Sequence, residues 1–147
     1  MKKIFCFLLV IFTLVGCGNS TKNNGETNSK ASSNKAFSFV FCTNTLNNTF
    51  QSSMDAKFKE LSEAKGYAYT CLDPDYDLNK QLGQLSDVAN GGYDAVFIIP
   101  VDSAGITSGL KEIKDAGIPI FNVDTAVVQE DIEAYVTQFV GTNAFMA

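Results

Sequence analysis

The sequence predicts an α/β fold, a doubly wound, mostly parallel five-stranded sheet with helices on both faces. Three observations predict it. Five short β-prone runs recur, FSFVFC (37–42), YAYTCL (67–72), DAVFII (94–99), IPIFNV (118–123) and YVTQFV (135–140), most of them with apolar residues at both odd and even positions. Strands apolar on both faces suit a sheet covered on both sides. Helical stripes separate the first four runs, and the units repeat every 25–30 residues or so. That alternation describes successive right-handed crossovers.

Residues 1–16 read as a targeting segment. Lys2 and Lys3 precede an apolar run from Ile4 to Val15, broken only by Thr13. As a helix that run would reach about 18 Å, short of the ~30 Å core of a bilayer, so a secretory signal is expected. Leu14-Val15-Gly16-Cys17 at its end resembles the bacterial lipobox. The resemblance implies cleavage before Cys17 and lipidation of that cysteine, palmitate among its acyl chains, with the mature protein anchored to the outside of the cell membrane. Cleavage leaves nine lysines against 16 carboxylates, a net charge of −7. Residues 17–35 contain almost no apolar side chains and read as a flexible tether. Residues 36–147 are expected to form the folded domain.

After the first strand, Phe50, Met54, Phe58 and Leu61 share one helical face, and Gly66 ends the helix. Asp77 is a plausible N-cap for the second helix, whose stripe is Leu78, Leu82, Leu85 and Val88, stopped by Gly91-Gly92. Asp102-Ser103 opens the third, striped by Ile106, Leu110 and Ile113 and closed by Gly117 before Pro119. The fifth strand is expected to follow the fourth after a short loop. Cys42 and Cys71 fall in strand runs and read as two buried thiols, with a disulfide as the alternative.

Composition removes whole classes of function. With no histidine, neither a Ser-His-Asp triad nor a His-ligated zinc site can be built. With no arginine and a pI near 4.6, nucleic acid is not an expected partner. No metal, cofactor or catalytic residue is expected. The first strand is followed by Thr43-Asn44-Thr45-Leu46-Asn47-Asn48 rather than by a glycine-rich phosphate loop. Asp73-Pro74-Asp75-Tyr76-Asp77 lacks the glycine and glutamate a calcium loop would place downstream, and reads as a capped turn.

In open α/β sheets ligands bind beyond the carboxyl ends of the strands. Those ends are Thr43–Gln51, Pro100–Ser103, Asp124–Ala126 and Gly141–Asn143. Amides at Asn44 and Asn48 can donate and accept, as a sugar hydroxyl does, and Phe50 offers a ring for the C–H face of a sugar. Equally, both amides could serve as caps and Phe50 as core. Asp124 could accept two charge-assisted hydroxyl bonds, and no partner for acid–base work stands out beside it.

Taken together, FVFCTNTLNNTFQSSMDAKF, DAVFIIPVDS and GIPIFNVDTAV, in this order, resemble the N-terminal lobe of type 1 periplasmic binding proteins, nearest the ribose-binding group that serves ABC importers. The resemblance implies a small-molecule sugar ligand and an ABC permease as partner. It implies ligand contacts at Asn44, Asn48, Phe50, Gln51, Asp124 and Thr125. Ribose binders carry a second aromatic where this chain has Gln51 and an arginine where it has Thr125, so the sugar's identity does not carry over. The same fold can present a sugar or autoinducer to a chemoreceptor or sensor kinase, which is the alternative role. Members of the family clamp ligand between two lobes. The sequence stops at Ala147, so a single lobe is expected, and one wall of a cleft should bind sugar far more weakly than two.

Overall fold

A computed structural model describes residues 35–141. The expected signal segment, Cys17 and the tether up to residue 34 lie outside the described residues, as do residues 142–147 with Asn143. The sheet has five parallel strands in the order β2-β1-β3-β4-β5: β1 Ser38–Cys42, β2 Ala68–Leu72, β3 Ala95–Ile98, β4 Ile120–Val123 and β5 Gln138–Val140. Four helices connect them: α1 Thr49–Lys65, α2 Leu78–Asn90, α3 Thr107–Asp115 and α4 Gln129–Tyr135. The predicted fold class therefore holds. The order reverses between β1 and β3, which makes the carboxyl end of that pair the topological switch point.

Side chains alternate across the sheet and define two cores. Val40, Cys42, Val96, Ile98 and Ile120 pack with Leu85, Val88, Ile106, Leu110 and Ile113 beneath α2 and α3, with Ile132 and Tyr135 of α4 packed against them. Phe41, Ile99 and Val123 pack on the opposite face with Met54 and Phe58 of α1. Cys42 lies in the first core and Cys71 packs on the second, so the two thiols point to opposite faces and both are free. Burial pushes both thiols up, Cys71 to about 12 with Asp55 adding to the rise, so neither supplies a ready thiolate.

Caps fall largely where the sequence puts them. The Asn48 side chain accepts from Phe50 N, Asp77 accepts from Lys80 N, and Gly66 closes α1 in the left-handed region at φ 69°. Asp73 and Asp77 act as turn and helix caps, which accounts for the acidic loop without a cation.

Three expectations need correction. A helix, α4, stands where only a short loop was expected between β4 and β5. It is fixed by tertiary contact, the Thr107 hydroxyl donating to the buried Asp131 carboxylate at 2.6 Å. Asp102 does not cap α3; it accepts from Ala104 N and Gly105 N in the turn before it, and α3 starts without a side-chain cap. The α1 stripe is also rotated from the expected face. Gln51 and Ser62 are buried and Met54 and Phe58 half-buried, whereas Phe50 and Leu61 are exposed. The reason is that, among the described residues, one helix covers this face of the sheet against three on the other. Phe37, Leu61 and Tyr67 accordingly line an open apolar depression with Phe97 and Phe121.

At the opposite end of the sheet, Ser38 donates its backbone N–H at 2.7 Å and its hydroxyl at 2.9 Å to Asp94. These bonds, the backbone one foremost, hold the Asp94 carboxyl below the usual carboxylate range, with Lys35 assisting. A depressed pKa contributes stability that is present above the unfolded value of about 4 and is lost as pH falls through the folded one. Wild type should therefore be more stable than Asp94→Asn at neutral pH. The gap should close between about pH 4 and the lower folded value, and urea titrations of both proteins across that range check it.

Candidate ligand site

The loops that follow β1, β3 and β4 meet at the carboxyl ends of the strands, and two buried amides tie them together. Gln81, on α2 and fully buried, donates from Nε2 to Thr43 O (3.1 Å) and Ile99 O (2.9 Å), and its Oε1 accepts from Val101 N (2.8 Å). It thereby staples the ends of β1 and β3 at the switch point. Asn122, within β4 and fully buried, donates to Ile98 O (3.2 Å) and Thr125 O (2.8 Å) and accepts from Val127 N (3.0 Å). Sequence reasoning missed both. The signal available was positional: Gln81 sits three residues after Leu78 and four before Leu85, on the apolar stripe, and Asn122 alternates with Ile118 and Ile120.

Phe50 and Asp124, 74 positions apart in sequence, line one depression of about 390 Å³ with Met54, Phe58, Val123, Val140 and Gly141. Phe50 is 56% exposed, so it is not core. Asn48 takes the capping role, its Oδ1 accepting from Phe50 N at 2.8 Å, which leaves its amide NH₂ free for other partners. The two alternatives posed by the loop thus divide between the two residues. Asn48, Asn44 and Gln51 do not line this depression. Asn44 is half-buried and Gln51 is 6% exposed, and the side-chain oxygen of each is buried without a partner among the described residues. The Thr125 hydroxyl approaches Asp124 Oδ2 at 3.4 Å. Among the candidate contacts, the structure brings Phe50 and Asp124 into one depression; Thr125 follows Asp124 in the chain without lining it, and Asn44, Asn48 and Gln51 lie on the adjoining loop and first turn of α1.

Asp124 has φ 62°, a left-handed conformation that a residue with a Cβ adopts at a cost. Its surroundings over-determine it. Asp124 N donates to Val140 O at 2.9 Å, and a Cβ on Gly141 would lie 2.8 Å from Asp124 O and 2.4 Å from the Phe139 ring. Only glycine lets β5 end this close to the aspartate. Strain of this kind is concentrated at ligand clamps and switch regions.

An open parallel α/β sheet whose strand ends present an exposed ring and a carboxylate on a left-handed backbone has the layout of a small-molecule-binding α/β domain. The chain belongs to the periplasmic binding protein domain family, which residues 39–147 match. It is 26% identical over 138 residues to the ribose import binding protein of Bacillus subtilis, covering 92% of this chain and 45% of that relative. Over 85 residues it is 32% identical to the galactofuranose-binding protein of Escherichia coli, covering 58% of this chain and 27% of the relative. Both relatives are named as binding proteins. Among solved structures it matches a galactofuranose binding protein with a TM-score of 0.65 and 26% identity, over 71% of this chain and 35% of the other. A Mycobacterium smegmatis protein in complex with β-D-fucofuranose gives a TM-score of 0.66 at 26% identity, over 73% and 35%. The chain spans less than half the length of these relatives.

Proposed function

We propose that this chain is the N-terminal lobe of an extracytoplasmic solute-binding protein that captures a sugar or polyol for an ABC importer and is held at the membrane by lipid on Cys17. The observation that carries this reading is the shared depression of Phe50 and Asp124 at the carboxyl ends of the strands. A ring can cover the C–H face of a sugar, and a carboxylate can accept from two neighbouring hydroxyls. Asn44, Asn48, Gln51 and Thr125 then supply amide and hydroxyl partners around them; the unpartnered oxygens of Asn44 and Gln51 are acceptors suited to a hydroxyl donor. Relatives named for ribose and galactofuranose support a neutral polyhydroxylated ligand. Closure of a second lobe on that ligand would present both lobes to the permease, a population shift set by the ligand's preference for the closed state.

The test is a thermal-shift screen of the full-length gene product against ribose, allose, glucose, tagatose, myo-inositol, glycerol and galactofuranosides. At least one should raise Tm in a concentration-dependent way. Failure of every carbohydrate would overturn the reading. Labelling with radioactive palmitate, retained by wild type and lost in Cys17→Ala, tests the anchor separately.

A further inference from the structure

Asn122 shares the Ile120 face of β4, beneath α3 and α4, whereas the depression holding Phe50 and Asp124 opens on the α1 side with Val123. Fully buried, it touches no ligand there. Its amide hydrogens go to Ile98 O and Thr125 O and its carbonyl takes Val127 N, so both donor and acceptor functions are engaged. The two loop partners bracket the turn that begins at Asp124. On the other side, β5 grips the same residue through the bond from Asp124 N to Val140 O. A left-handed aspartate is held by its surroundings, and two side chains restrain the turn that follows it: Asn122 with three bonds and Ser103, whose hydroxyl donates to Ala126 O at 2.7 Å.

We propose that Asn122 is a positioning residue: through Thr125 O and Val127 N it holds the Asp124 turn in its left-handed form, so that ligand affinity depends on a side chain on the far side of the sheet. The inference rests on the reading of Asp124 as a ligand contact. Hydrophobic packing alone would be served by leucine or valine at this point of the strand. The amide instead links the end of β3 to the β4 turn, which makes the site's geometry a property of the sheet rather than of the loop.

The experiment uses the full-length protein and whichever sugar of the panel above binds it most tightly, by calorimetry. Asn122→Leu keeps the branched shape, with larger methyl ends, and removes all three bonds; Asn122→Thr retains a hydroxyl and guards against a leucine variant that does not fold. Asn122→Thr should weaken binding about tenfold or more, the loss of a well-placed hydrogen bond to a charged group. Made in an Asp124→Ala background, the same substitution should change affinity less than about twofold, because what it positions is gone. Ile113→Ala, a core change on the buried face of α3, should lower Tm with affinity unchanged. An Asn122 effect of equal size with and without Asp124 would overturn the proposal, as would full affinity in Asn122→Thr when Asp124→Ala is weakened. Absence of any binding by wild type would instead sink the reading of the site, and this inference with it.

Discussion

Replacing Gln81 with leucine is expected to lower the unfolding free energy of this domain by about 3 kcal/mol, at a position outside the Phe50–Asp124 depression. The side chain volumes are close, so cavity formation is not the cause. Gln81 is fully buried and serves three backbone groups, Thr43 O, Ile99 O and Val101 N, all at strand ends where no ladder partner replaces it. Leaving a buried polar group unmatched costs about 1–3 kcal/mol each. Burying leucine instead of an amide returns about 2 kcal/mol of that sum. Because small domains are stable by about 5–15 kcal/mol, the variant should remain folded but melt about 10–20 °C lower. Urea unfolding of both proteins checks this. A loss below about 1 kcal/mol would mean that water reaches these groups and that the staple is incidental.

The strands were legible because burial on both faces leaves a run of apolar residues with little else to do, and β1, β3 and β4 show it plainly. Helices α1 to α3 were legible from stripes and caps. What the sequence did not reveal depends on partners distant along the chain. A seven-residue helix such as α4 has little intrinsic stability and forms because Ile132 and Tyr135 meet the first core and Asp131 meets Thr107. Its Glu130 and Asp131, in the first turn, were the only local signal. Phe50 is exposed for a similar reason: the spacing of α1 fixes which residues share a face but not how much of that face a sheet with a single helix there covers. Gln81 and Asn122 read as polar interruptions until the carbonyls they serve are located. Asp124 was legible as an acid after a strand; its left-handed backbone was not, since aspartate is enriched in that region but mostly found outside it.

In the full-length protein, Asp124→Gly is expected to weaken sugar binding by about 100-fold or more while leaving stability within about 1 kcal/mol of wild type. Two opposing terms decide the stability. Glycine occupies the left-handed region without the cost of about 1–2 kcal/mol that a Cβ imposes, but it enlarges the entropy of the unfolded chain by a comparable amount. Among the described residues the Asp124 side chain makes one long hydrogen bond, 3.4 Å from the Thr125 hydroxyl, so little of the described bonding is lost. Affinity has no such compensation. A carboxylate accepting two ligand hydroxyls contributes about 1.5–3 kcal/mol through each, and 3 kcal/mol or so is already more than a hundredfold in Kd. Asp124→Asn, which keeps the shape and tolerates the left-handed region, should lose less because one acceptor and its weaker bond remain. The graded series wild type, asparagine, glycine therefore separates charge from geometry, read by calorimetry for affinity and by urea for stability. Equal affinities across the series would remove Asp124 from the site. A glycine variant much less stable than wild type would show that the aspartate is held there for the fold, and a strained residue kept for the fold alone is a cost that selection has no evident reason to retain.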